Sequence, residues 1–391
     1  MPGWKICPAD ARTIENINFS CIGVCPAGFF IIIKGEYIQM YMTYYELSSF
    51  PVLLKSHKIA RKSKRHKYGT IDYENNLCTK ITSLEQELKN GTYKVGKYRT
   101  FFVTEPKKRE IQALGYKDRI VQHSLCDNFL IPYYEPRLIY ANCACRKGKG
   151  TYFARQLLKR YYVEFYKKFG TKGYVLKCDI HKYFASIDHD ILKNLLSKIP
   201  DKQVYNLLCT IIDSYHFDTN VGLPIGNQVS QILGIVFLDK IDRIIKEKCQ
   251  IKHYVRYMDD LILLSNSKKK LVECLFEIEN GLKQINLVLN EKTNISAITT
   301  NVEFLGAVYK MTKTGRVILR VRKQTRKRIN ARIKAIKNLS GEEITVLKKA
   351  IIGGLKGHLK GFNANRFFIT KRVFLKGPSP LSVINALHIP H

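Results

Sequence analysis

The feature that most constrains this chain is a pair of adjacent acids set in an apolar surround. Tyr257-Met258-Asp259-Asp260 lies between His253–Arg256 and the run Leu261–Leu264. Two short apolar runs around a polar pair predict a β-hairpin with the acids at its tip. Adjacent carboxylates there are costly unless something positive sits beside them. A plain polar turn would also use Asp, but it does not require the flanking strands to be so apolar. A second acid, Asp179, ends the apolar run Val175-Leu176-Lys177-Cys178 and is followed by Ile180-His181-Lys182-Tyr183-Phe184. The strand would fix such an acid in place while its tip stays open. The same residue also suits a helix N-cap at a strand-to-helix turn. If the two segments are neighbours, Asp179, Asp259 and Asp260 converge, and their hard oxygen donors favour Mg2+ or Mn2+.

Two such ions about 3.5–4 Å apart would activate a primer 3′-hydroxyl and stabilise a pyrophosphate leaving group. A nucleic-acid substrate agrees with the charge. The 391 residues include 66 Lys and Arg against 32 Asp and Glu, a formal net charge of +34. With 45% hydrophobic and 11% aromatic residues the chain can build a core, so the excess charge points to a polyanionic partner. No run of 18 apolar residues occurs, which argues against a membrane span. The eleven cysteines form no CxxC pair, so neither a zinc ribbon nor a disulfide framework is expected, and the compartment reads as reducing and cytoplasmic.

A third signal is Gly222-Leu223-Pro224-Ile225-Gly226-Asn227-Gln228-Val229-Ser230-Gln231. Glycines and a proline before a helical segment make a backbone-rich loop that can approach a base pair closely, or simply lead into a helix. Other elements expected are helices at Ile81–Lys89, Ile187–Leu196, Gln228–Lys246 and Val272–Ile285. Strands are expected at Tyr98–Thr104 and Gly173–Asp179, with a strand pair over Val302–Met311 turning near Thr314-Gly315. From Tyr309 to Gly341 there is no acid, while twelve cations recur, many three or four apart. That spacing predicts basic helix faces.

The ordered set Asp179…Phe184, Gly222–Gln231 and Tyr257–Asp260 resembles the motifs of reverse transcriptases. Upstream, Lys107-Lys108-Arg109-Glu110-Ile111 and Asp118–Gln122 resemble fingers motifs of the bacterial and group II intron enzymes. Cys145-Arg146-Lys147-Gly148-Lys149-Gly150 falls at the next basic fingers motif. Leu289–Thr293 resembles the lysine-bearing palm motif, and Phe304-Leu305-Gly306 the primer-grip hairpin. The resemblance covers about residues 45–370. It implies an α+β right-hand polymerase with fingers (42–160), a ferredoxin-like antiparallel palm (161–310) and a basic helical thumb (311–391). Residues 1–41 read as an extension that deletion would leave dispensable, with Met42 or Met40 the natural start. Loss of folding or activity on removing them would reject this.

Carried over by position, the resemblance makes Asp179, Asp259 and Asp260 catalytic metal-binding carboxylates for two Mg2+ ions (or Mn2+), with a further ligand from the Ile180 carbonyl. Phe184 would be the steric gate under the sugar. Lys108 and Arg109 would meet the triphosphate, since an arginine fork suits phosphate oxygens. Lys292 would sit near the pyrophosphate, and Ile225 and Met258 would border the nucleotide. Gly226, Gln231, Arg146, Lys147, Phe304, Gly306, Arg322 and Arg326 would face template and primer. The glycine-rich run Gly353–Gly361 would touch RNA or pack tightly.

Two departures narrow the family. Ile225 stands where most retroviral and group II enzymes have Gln, and Ser230-Gln231 where they have Ser-Pro. The pattern resembles diversity-generating retroelement enzymes and related antiphage defence enzymes. The retron hallmarks are not found. The implied partners are an RNA template or dedicated non-coding RNA, a DNA primer or cDNA, dNTPs, and an accessory protein or second copy, with no membrane. The eighty-five residues after Gly306 accommodate a thumb but hardly an RNase H or endonuclease domain. The rival readings are a non-catalytic, maturase-like RNA-binding scaffold, and template-independent or protein-primed synthesis.

Overall fold

The computed structural model describes residues 5–6, 22–25, 28–33, 36–104, 108–215 and 219–337. Lys107, the Gly353–Gly361 run and the part of the expected thumb beyond residue 337 lie outside the described residues, as does most of the stretch before Glu36.

The chain opens on four strands, β1 (Lys5–Ile6), β2 (Ile22–Cys25), β3 (Gly28–Ile33) and β4 (Glu36–Tyr41), hydrogen-bonded in the order β1-β4-β3-β2. Tyr41, the last residue of β4, is buried, and its ring meets Phe129 and Tyr133. A helical lobe follows: α1 (Tyr44–Leu47), α2 (Phe50–Ala60), α3 (Tyr68–Asn75) and α4 (Leu77–Lys89). A capping box starts α1, in which the Thr43 hydroxyl accepts from the Glu46 amide and the Glu46 carboxylate accepts from the Thr43 amide. A two-stranded ribbon, β5 (Arg99–Val103) and β6 (Arg109–Ala113), leads to α5 (Tyr116–Leu125), a π-helical turn (Cys126–Leu130), and α6 (Ile131–Tyr134). After the 139–150 loop, the long α7 (Thr151–Phe169) crosses the expected boundary at residue 160.

The central sheet comes next. It is built from β7 (Tyr174–Asp179), later joined by β8 (His253–Tyr257), β9 (Asp260–Ser265) and β10 (Asn294–Ala297), in the order β10-β7-β9-β8, all antiparallel. Between β7 and β8 run α8 (His189–Leu196), α9 (Lys202–Asp213), α10 (Gln228–Phe237) and α11 (Asp239–Arg243). Between β9 and β10 lies α12 (Lys268–Lys283). Last come the meander β11 (Val302–Phe304), β12 (Ala307–Met311) and β13 (Val317–Val321), and α13 (Lys323–Lys337).

The central strands read as apolar runs rather than alternating ones because both faces are covered. Leu176, Cys178, Leu261, Leu263 and Tyr254 point into one core with the helical lobe, α10 and α12. Val175, Ile262, Leu264 and Val255 point into a second core with α7 and the β11–β13 meander. This two-sided burial leaves only the strand ends for chemistry. Among the described residues no helix is long and apolar enough to cross a membrane.

Three expectations change. The helix expected over Gln228–Lys246 is interrupted at Leu238, and its last part, Ile244–Lys248, is π-helical. The strand pair after Val302 turns at Leu305-Gly306, where both residues have positive φ, and Thr314-Gly315 instead joins β12 to β13. The acid-free stretch is therefore strand up to Val321 and helical only from Lys323. The β-branched residues Val317, Ile318 and Val321 outweigh the helical spacing of the cations.

Candidate active site

The register of the central sheet sets the site. Asp179 at the end of β7 pairs with Asp260 at the start of β9, and Tyr257 pairs with Asp260 from the other side. Asp179 shares strand parity with Val175, and Asp260 with Ile262, so both acids lie on one face of the sheet. Cross-strand partners in such a pair have Cβ atoms about 4.5–5.5 Å apart. Like charges so placed repel unless a cation joins them. Asp259 sits with Met258 in the two-residue turn between β8 and β9. Burial first, then the negative charge of Asp179, pushes the Asp259 carboxyl above the usual range; its own backbone amide, Arg109 and Arg256 pull the other way. Two opposed carboxylates and a third in the adjoining turn are hard oxygen donors of the kind a divalent cation takes, but the three are not drawn into one cluster. Among the described residues no three His, Cys, Asp or Glu side chains are gathered into a metal-holding group.

The turn is braced from below by a residue the sequence reading passed over. Arg256, one strand position before Tyr257, is fully buried. Its guanidinium pairs with the equally buried Asp242 of α11, Nε to Oδ1 at 2.7 Å and Nη2 to Oδ2 at 2.6 Å. Nη2 also donates to the Ile235 carbonyl at 2.8 Å, and Nη1 to the Met258 carbonyl at 3.2 Å. Tyr254 adds its hydroxyl to Asp242 Oδ1 at 2.6 Å. Met258 has φ +54°, a left-handed conformation that costs a non-glycine residue roughly 1–2 kcal/mol. The guanidinium holds that residue's carbonyl in place. A charged residue inside an otherwise buried strand was the available sequence signal.

The other expected residues gather unevenly. The segment after α12 pairs with the end of β7: His181 donates to the Val288 carbonyl and Asn290 to the Asp179 carbonyl. Lys292 is therefore exposed near Asp179, while Ile180 is buried. Phe184 is half-buried, with its ring against Gly234 of α10, and Tyr183 is fully inside, its hydroxyl on the Gly234 carbonyl. The Gly222–Gln231 loop docks on β6. The Gln112 amide donates to the Ile225 carbonyl at 3.1 Å, and a Cβ on Gly226 (φ +124°) would lie 2.9 Å from Ile111. This contact sets Arg109, two residues before Ile111 on the same ribbon face, where its charge acts on Asp259. Lys108 lies over the ring of Phe102, 4.9 Å from its centroid. Ile225, Gly226 and Gln231 are exposed.

Several motif residues act inside the protein. Asp118 is buried and accepts from the Tyr93 hydroxyl and the Gly96 amide. Gln122 accepts from the Gln228 amide at the start of α10. The Arg146 guanidinium is engaged by the Glu135 carboxylate and by the Ile139 and Asn142 carbonyls. Lys147 is left as the exposed cation of that pair. The Phe304 side chain is buried in the second core, so only the Leu305-Gly306 turn is presented outward. Arg322 pairs with Glu303 at 3.3 Å, and Arg326 is exposed on α13.

An antiparallel sheet with carboxylates at one edge, helices behind it, and a helical lobe carrying a β-ribbon over that edge together define a right-hand polymerase. A sequence profile of the reverse transcriptase (RNA-dependent DNA polymerase) family matches residues 79–309, more than half of the chain. The chain belongs to that family. It is 26% identical over 240 residues to a putative COX1/OXI3 intron 2 protein of Saccharomyces cerevisiae, covering 42% of this chain and 28% of that protein. Protein YkfC of Escherichia coli is 23% identical over 274 residues (59% and 71% covered), and the group II intron-encoded protein LtrA of Lactococcus lactis 24% over 217 residues (52% and 35%). The chain thus spans about a third or less of the first and last of these. Among solved structures it is similar to Candida albicans telomerase with a telomeric RNA fragment, at TM-score 0.46 and 12% identity (72% and 59% covered). Truncated apo telomerase from Candida tropicalis gives 0.45 and 13% (59% and 58%).

Proposed function

We propose that the protein is an RNA-directed DNA polymerase, copying an RNA template into cDNA from dNTPs by two-metal nucleotidyl transfer. The observation that carries this reading is the opposed pair Asp179 and Asp260 with Asp259 in the adjoining turn, beneath the ribbon that bears Arg109. Asp179, Asp259, Asp260 and the Ile180 carbonyl would hold two Mg2+ ions, with Mn2+ as substitute. When bound, these would supply the positive charge for the primer 3′-hydroxyl and the leaving pyrophosphate. Lys108 and Arg109 would orient the triphosphate, and Lys292 would face the pyrophosphate. Phe184, its ring backed by Gly234, would exclude a ribose 2′-hydroxyl. Residues 42–160, 161–310 and 311–391 would serve as fingers, palm and thumb, in the cytoplasm. Purification with bound nucleic acid, followed by sequencing of the RNA and of any cDNA, tests the reading. DNA complementary to the bound RNA is the expected product, and bound RNA that never yields cDNA counts against it.

The biological setting we favour is a bacterial or phage diversity-generating-type retroelement, with an antiphage defence system built on a dedicated RNA as the alternative. Both rest on Ile225 and Ser230-Gln231. An exposed Ile beside the nascent pair offers no hydrogen bond, so mispairs are rejected less strictly. The expected result is that Ile225→Gln lowers the misincorporation frequency severalfold in a sequenced gap-filling assay. An unchanged error rate would sink the idea. The likeness to an intron-encoded protein keeps the maturase-like scaffold as a second reading. It predicts that biological activity survives Asp259→Ala with Asp260→Ala, whereas the polymerase reading predicts its loss.

A further inference from the structure

Helix α7 carries a surface that the catalytic reading does not use. Gly170–Gly173 joins α7 directly to β7, and α7 packs on β8, β9, β12 and β13. Running back along the sheet, its N-terminal end and the 139–150 loop lie at the edge that holds Asp179. Contacts agree: the Cys143 amide donates to the Arg256 carbonyl, and the Cys145 thiol reaches Gln231 of α10.

The outward side of this unit is aromatic and basic together. Tyr140 is 55% exposed and Tyr152 41%. The Tyr140 ring meets Phe153 edge to face at 5.6 Å, and the Lys149 ammonium lies 4.8 Å from the first ring and 5.7 Å from the second. Further along, Lys159, Arg160, Lys167 and Lys168 are exposed on the same helix, and the Arg160 guanidinium lies over Tyr161. From Tyr152 to Lys167 the stripe runs about 22 Å. Between Ile139 and Phe169 the single acid is Glu164, already shared by Arg160 at 3.7 Å and His253 at 3.5 Å. The loop is held in shape by the Arg146 contacts and by the Lys149 amine on the Tyr140 carbonyl at 2.7 Å.

We infer that this face, from Tyr140 and Tyr152 along Lys159, Arg160 and Lys167, is a track for unpaired RNA leading to the catalytic edge. Exposed rings offer stacking to bases of any sequence, and cations at helical spacing follow the phosphates. A duplex hides its base faces and has no use for the rings. That the polyanion is RNA rests on the polymerase reading; the shape of the surface does not.

The test is fluorescence anisotropy with a fluorescein-labelled unstructured RNA of about 20 nucleotides, in the absence of dNTPs, on variants with wild-type thermal unfolding. Tyr152→Ala is expected to weaken binding about tenfold, and Tyr152→Trp to keep it. Lys159→Glu with Arg160→Glu is expected to flatten the log–log salt slope by about 1.4, at roughly 0.7 per single-strand phosphate. Affinity within twofold of wild type for Tyr152→Ala, an equal loss with duplex RNA, or failure of Tyr152→Trp to bind would each overturn the inference. Because no nucleotide is incorporated, the two claims fail separately. RNA binding through α7 without any DNA synthesis sinks the polymerase reading alone. DNA synthesis with unaltered RNA affinity in these variants sinks the track alone.

Discussion

Asp259→Asn and Asp179→Asn are each expected to lower RNA-templated nucleotide incorporation by at least about 10³-fold, the scale of losing charge stabilisation at a reacting centre. Asn keeps the shape and one acceptor oxygen but removes the charge. The accompanying stability change separates this from damage to the fold. Asp179 and Asp260 face each other across β7 and β9, and Asp259 is partly buried beside them with its carboxyl pushed up by burial and by Asp179. Burial and the negative charge of Asp179 both disfavour the ionised Asp259 carboxylate in the folded protein. Neutralising one acid should leave the unfolding temperature unchanged or raise it, as when a strained functional site is relieved. A large loss of activity with a fallen melting temperature would mean that the acids are structural.

The second large effect lies beneath the turn. Arg256→Met leaves the Asp242 carboxylate buried without its cation, and breaking such a pair costs about 3–5 kcal/mol. Denaturant unfolding should show that loss directly. Arg256→Met combined with Asp242→Leu removes both charges and should recover most of the stability, since apolar replacements of buried pairs are often neutral. Turnover should not recover with it. The Met258 carbonyl has lost the donor at 3.2 Å that steadies a left-handed residue next to Asp259, and a small misplacement of a reacting group can cost about 10²-fold. Wild-type turnover in the stable double variant would show that the pair only supports packing.

How much of this was legible depended on whether the information lay in neighbouring residues. The strand ending in Asp179 and the hairpin around Asp259-Asp260 could be read because each is a local pattern of mostly apolar residues beside acids, and register then brought them together. The Arg256–Asp242 pair could not be read, because its members lie on a strand and a helix and meet only through packing. Arg146 and Lys147 look alike in sequence. Glu135 takes the first and leaves the second exposed, and only the folded 135–146 loop distinguishes them. Phe304 sits in a turn motif, yet its ring fills the second core beside Tyr309. The basic stretch after Tyr309 misled for a physical reason. Cation spacing of three or four is also met on a hairpin, and the β-branched residues around Arg320 carried the better signal.

We propose that Asp179, Asp259 and Asp260 carry DNA synthesis on an RNA template. The most direct measurement is incorporation of labelled dNTPs by the purified protein on an RNA template annealed to a DNA primer, with Mg2+ or Mn2+, beside the Asp259→Asn variant. The expected result is primer extension to the template end that depends on the RNA sequence and vanishes in the variant. No extension by the wild type with either metal ion, or equal extension by the variant, would contradict it.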